Sequence, residues 1–143
     1  MLGIIMSILA GALMSFQGVF NTRLGEKIGT WETNVFVQGT GFVLTLIIVL
    51  ILGDGNFKNI KQANKIYLLG GILGVAIIYT VMMGIKSLGP TCSIATILIA
   101  QLTAAALIDA FGLFGSEKLP FTLTKIIGVA IMVAGIVIFK WKC

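Results

Sequence analysis

Apolar residues gather in five long blocks along this chain, at 2–20, 33–52, 66–85, 91–113 and 121–139. Crossing a hydrocarbon layer of roughly 30 Å takes about 20 helical residues, and each block is near that length. Polar and apolar positions do not alternate strictly within them, and an open sheet would leave its backbone unsatisfied in lipid. The pattern therefore predicts five transmembrane helices forming a single domain, 1–143. The connections read as punctuation. Residues 23–32 carry two glycines and mixed charge, and Gly53-Asp54-Gly55-Asn56 is a turn signal. Gly89-Pro90 and Leu119-Pro120 place proline at the first position of a helix, where its missing N–H costs least. The first block lacks a basic leading segment and exceeds the roughly 7–15 apolar residues of a secretory signal, so it reads as a retained span.

Composition agrees with a lipid solvent. Hydrophobic residues make up 58%, charged residues 10%, and mean hydropathy is +1.10. A soluble domain carries about 25% charged residues, and a fold this small has too much surface to hide so much apolar area. The same composition excludes disorder, and the 18 glycines without a Gly-X-Y period exclude collagen. The chain has no histidine, which removes imidazole catalysis, imidazole metal ligation and histidine pH switching. Its two cysteines, Cys92 and Cys143, have no metal-ligand spacing and give no disulfide framework. Phosphate-binding glycine loops, paired catalytic carboxylates and nucleophile–base sets are absent from the sequence. The expectation is a protein that is not an enzyme and needs no cofactor or metal. The net charge of +5 is spread over scattered basic residues, which suit lipid headgroups and topology rather than nucleic acid.

Five spans put the chain ends on opposite sides. Arg23, Lys27, Lys86, Lys140 and Lys142 fall on one side, and Lys58, Lys61, Lys65, Lys118 and Lys125 on the other. Orientation is normally set by an excess of Lys and Arg on the cytoplasmic side, and here there is none. The balance favours insertion both ways up and pairing with an inverted copy. A single orientation fixed by a local signal is the alternative.

Small residues recur where helices are expected to approach closely. Gly3, Ser7, Gly11 and Ser15 are spaced by four, with Gly18 near; Gly70 and Gly74, and Gly128 and Gly135, mark the third and fifth spans. Helix association in lipid relies on such backbone proximity. Packing within one protomer is the reading for most of them, with some left for a dimer seam.

Polar side chains inside a bilayer are costly and turn toward protein or water. Gln17 and Asn21 stack on one face of the first span. Asn34, Gln38, Gly41 and Thr45 form one stripe on the second. Gln101 and Asp109 stand eight apart on the fourth, about 80° around the helix. Tyr79 adds a phenol on the third, and Trp31 with Glu32 sits at the mouth of the second. Amides offer donors and acceptors together, which suits a small polar solute; they also bond neighbouring helices. Asp109, about 6 Å from the end of its helix, reads either as a structural partner of Lys118 or Lys125 or as an ion site.

The run 11–24 (GALMSFQGVFNTRL), Gly70-Gly71-Ile72-Leu73-Gly74, and Leu88-Gly89-Pro90 with Ala100-Gln101-Leu102 and Leu107 to Leu113 (LIDAFGL) resemble the YdcZ-type family of the drug/metabolite transporter superfamily along the whole chain. The family pattern has Gly-Gln where Ala100-Gln101 stands, and Asp-His-Phe-Gly where Asp109-Ala110-Phe111-Gly112 stands. The resemblance implies half of a transporter, five helices that larger members duplicate as an inverted repeat with substrate at the interface. An antiparallel homodimer would supply the missing half. The resulting expectation is an all-α integral membrane protein, multi-pass in a bacterial plasma membrane, carrying an unknown small solute by alternating access. Gln17, Asn21, Asn34, Gln38, Tyr79 and Gln101 would meet the solute, with Trp31, Glu32 and Asp109 at an ion or interface site. A non-transporting accessory subunit is the alternative, and a channel lacks a ring of charge or a filter-like segment.

Overall fold

A computed structural model describes residues 1–118 and 122–140, apart from the side chains of Lys125 and Lys140. Every regular element among them is helical: α1 (Leu2–Ile28), α2 (Thr30–Leu52), α3 (Gly70–Leu88), α4 (Pro90–Phe111) and α5 (Leu123–Lys140). Short 3₁₀ turns cover Phe57–Gln62, Lys65–Leu69 and Leu113–Gly115. Four stretches, Leu2–Ile28, Thr30–Leu52, Lys65–Leu88 and Pro90–Phe111, are long and apolar enough to span a membrane. In α5 the apolar helix is the shorter stretch Ile126–Phe139.

The boundaries depart from the apolar blocks where backbone chemistry overrides hydropathy. The first helix outlasts its apolar block by two turns, through Arg23, Glu26 and Lys27. Arg23 Nη1 lies 3.1 Å from Glu26 Oε2, three residues on, and Lys27 in the last turn complements the helix dipole. What ends α1 is Gly29, whose φ of 100° is open to glycine and strained for other residues. Its N–H donates to Gly25 O at 3.0 Å. The expected ten-residue connection is thus a one-residue elbow, and α2 starts at Thr30. Before α3, residues 65–69 wind as 3₁₀ rather than α. Pro90 stands at the start of α4 as expected, and Gly112, left-handed at φ 62°, ends it. The Leu119-Pro120 signal lies outside the described residues.

The chain divides into two compact units, Met1–Lys86 and the residues from Ser87 onward. In the first, burial concentrates at the elbow end. Gly18, Asn21 and Thr22 of α1, Thr33 and Asn34 of α2, and Met82 and Ile85 of α3 are buried. Most apolar side chains on the same helices are exposed. This polar-in, apolar-out distribution is the one hydrocarbon favours, because an unpaired polar group facing lipid costs several kcal/mol. In the second unit, Cys92 and Ser93 are buried in the first turn of α4, and α4 packs on α5. Cys92 is not a free thiol but disulfide-bonded, which spacing alone did not indicate.

The glycines divide as well. A Cβ at Gly18 would sit 2.9 Å from Ile85 Cδ1 and 3.1 Å from Val81 Cγ1, and one at Gly25 would overlap the Met82 methyl. Gly3, Gly11, Gly70, Gly128 and Gly135 meet nothing within 4 Å among the described residues. Ser7 and Ser15 turn their hydroxyls back to Gly3 O and Gly11 O, at 2.9 and 3.0 Å. Of the glycines expected at close approaches, contact within one protomer is thus found at Gly18 and at Gly74, where a Cβ would lie 3.0 Å from Gln38 Nε2, and not at Gly3, Gly11, Gly70, Gly128 or Gly135 among the described residues. Gly18→Leu is expected to lower stability by about 1–3 kcal/mol through overpacking. Gly39→Leu, which enters open space, should change it by less than about 0.5 kcal/mol. Unfolding midpoints in mild detergent measure both.

Candidate functional site

One seam in the first unit brings together Trp31, Asn34, Gln38 and Tyr79 from the positions singled out in the sequence. Trp31, Asn34 and Gln38 succeed one another along a single face of α2, at the three- and four-residue steps that bring side chains into line. Across from them stand Tyr79, Val75 and Gly74 of α3. The Trp31 and Tyr79 rings stack with centroids 4.7 Å apart and planes 15° apart. One turn along, Asn34 Nδ2 donates to Val75 O at 2.9 Å. A further turn along, a Cβ at position 74 would come to 3.0 Å of Gln38 Nε2, so Gly74 is the notch that admits the glutamine.

Asn34 is the unusual member. Only 2% of it is exposed, and its Oδ1 is the single buried side-chain oxygen or nitrogen without a hydrogen-bond partner among the described residues. Such an acceptor costs about 1–3 kcal/mol when left unmet. One Nδ2 hydrogen goes to Val75 O; the atom left without a partner is the acceptor Oδ1, so a group that meets it must donate. The threonines nearby offer nothing: Thr22 Oγ1 donates to Gly18 O and Thr33 Oγ1 to Gly29 O, both at 2.8 Å. Asn21 is buried at the same end, 7% exposed, and its side chain makes no hydrogen bond among the described residues. At the same end a slot of about 10 Å³ is bordered by Thr22, Gly25 and Met82, room for about one water.

Other expected residues stand apart from this seam. Gln17 is exposed although it shares a helix face with buried Asn21. Gly41 and Thr45, the rest of the α2 stripe, are exposed, and Thr45 Oγ1 donates to Gly41 O at 2.8 Å. The Glu32 carboxylate lies against Gly29 at the elbow, and the residue borders an open groove of about 470 Å³ with Trp31, Val35 and Phe36. In the second unit, Gln101 is exposed and Asp109 half-buried on α4. Asp109 makes no ion pair with Lys118, against that part of the expectation; the Lys125 side chain lies outside the described residues. The Val75 carbonyl was not legible beforehand, since a backbone acceptor leaves no mark in composition. Thr33 was, being four residues after Gly29 where a hydroxyl reaches back to a helix carbonyl.

Long lipid-facing helices joined through a seam of amides and stacked aromatics make a polytopic membrane protein whose polar groups face one another. The chain belongs to the YdcZ family of the drug/metabolite transporter type, membrane transporters by their description. The family model described as "Putative inner membrane exporter, YdcZ" matches residues 2–138. No curated protein and no solved structure matches the chain.

The Trp31–Tyr79 stack is expected to contribute about 0.5–1.5 kcal/mol. Trp31→Ala and Tyr79→Ala should each lower the unfolding midpoint in detergent, and the double variant should lose less than the sum.

Proposed function

We propose that this transporter moves a small polar, hydrogen-bond-donating solute by alternating access, working as an antiparallel homodimer. The observation that carries the reading is Asn34, buried in the α2–α3 seam with its acceptor unspent, one turn from an aromatic pair. Gln38 lies one turn further along the same face of α2 and Asn21 is buried at the same end of the unit; Gln17 and Gln101, exposed in the single chain, would face an inverted copy. Glu32 and Asp109 would serve an ion or the dimer interface. Two features support the pairing: the even division of Lys and Arg between the two sides and the open stripe of Gly3, Ser7, Gly11 and Ser15. A two-fold axis in the membrane plane makes the inward- and outward-facing states equal in energy by symmetry.

A second reading rests on one observation. Among the described residues, the hydrogen bonds of the Thr22, Thr33 and Asn34 side chains all run to helix backbone, as they would in an accessory subunit held together by its polar groups. Asn34→Leu separates the two. Val75 O keeps its own helical hydrogen bond, and the variant also removes the unmet oxygen, so stability should move by less than about 1 kcal/mol. A transporter should keep its fold and lose solute flux in vesicles by tenfold or more, whereas a subunit held together by its polar groups should lose its assembly. Gln101→Ala is expected to act likewise.

Orientation is tested with tags at residues 55–56 and at the C-terminus, labelled from each side of the membrane. Labelling of each tag from both sides is the expected outcome. Strict one-sidedness, or a monomer in mild detergent with lipid, ends the antiparallel dimer.

A further inference from the structure

We propose that the turn between α2 and α3 is a binding site for the headgroup of an anionic phospholipid, a role independent of the solute route. After α2 ends at Leu52, the chain passes through residues 53–56 into the 3₁₀ turn Phe57–Gln62. A 3₁₀ helix has three residues per turn, so positions i and i+3 share an edge. That periodicity sorts this segment into two edges. Phe57 and Ile60 occupy one, 75% and 51% exposed, and with Val49 they line an open groove of about 560 Å³. Lys58 and Lys61 occupy the next edge, and Lys65 follows at the start of the second 3₁₀ turn.

The segment is held in shape from both ends. Asn56 Oδ1 accepts from the Lys58 N–H at 2.9 Å, and Asn64 Oδ1 from the Ile66 N–H at 3.1 Å. It joins two helices of membrane-spanning length, so it lies where hydrocarbon meets headgroups. An apolar edge there enters the acyl boundary while lysines reach phosphate level.

The charges here are uncommitted, unlike those at the elbow. Arg23 is paired with Glu26, and Lys27 and Lys86 sit in last helical turns, where they offset the dipole. Lys58, Lys61 and Lys65 make no ion pair among the described residues. The one opposing charge in the segment is Asp54, which lines the groove. Three cations against one anion, beside an exposed phenylalanine and isoleucine, match a phosphodiester that carries acyl chains. A soluble phosphate monoester presents at least as much negative charge but has nothing for Phe57 and Ile60.

The test uses the full chain in mild detergent, with bound lipid counted by native mass spectrometry during titration of dihexanoyl phosphatidylglycerol. Dihexanoyl phosphatidylcholine and glycerol 3-phosphate serve as the other arms. Phosphatidylglycerol is expected to bind at least tenfold more tightly than either. Lys58→Gln with Lys61→Gln should weaken it by about 10- to 30-fold, at roughly fivefold per lysine. Asp54→Asn should tighten it, and Phe57→Ser should weaken it without changing glycerol 3-phosphate binding. Raising NaCl from about 50 to 500 mM on the unaltered protein should lower affinity, as screening requires. Equal binding of the two lipids, or no effect of the lysine pair or of salt, overturns the site. Glycerol 3-phosphate binding as tightly as the lipid makes it a phosphate site and overturns the lipid assignment.

Discussion

The first unit rests on the difficulty of placing a polar group in hydrocarbon. In water, burying an amide is a cost that apolar packing must offset; in lipid the surroundings are already apolar, and the amide itself gains by finding another polar group. Asn21, Thr22, Thr33 and Asn34 are the buried polar residues of this unit, gathered at the end where α1 turns into α2. Isoleucines and leucines along the same helices stay outside. Gly29 makes the gathering possible. Its positive φ reverses the chain within one residue, so the last turns of α1 and the first turns of α2 lie side by side at the level where α3 brings Val75, Tyr79 and Met82.

That geometry ties packing to function at Asn34. The same side chain clamps α2 to α3 through Val75 and presents an acceptor with nothing to accept. A purely structural clamp would be complete with both capacities used. The aromatic pair above it and Gln38 below, admitted by the missing side chain of Gly74, give the seam a graded surface of ring, amide and amide along one helix face.

Much of this was legible in the sequence, and what was not has physical reasons. Hydropathy located the helices because lipid demands length, but it misplaced the first turn. Arg23, Glu26 and Lys27 are polar and therefore interrupt an apolar block, yet they are good helix formers and carry α1 two turns further. The face shared by Asn34 and Gln38 followed from spacing alone. Its continuation to Gly41 and Thr45 did not survive, since periodicity says which side of a helix a residue occupies and not how far a neighbour extends along it. Of the partners expected for Asp109, Lys118 does not pair with it, because the loop between helices and not proximity in sequence sets that distance.

The hydroxyls of Ser7 and Ser15 face an open stripe of α1 yet spend themselves on carbonyls of their own helix. With Gly3 and Gly11 between them, the stripe is shallow and carries no free hydrogen-bonding group to fix a register. A helix laid along it would be held by shape and dispersion, forces that recur at each turn. Displacement by a turn would exchange one set of contacts for a near-equivalent set, making this face a bearing rather than a latch.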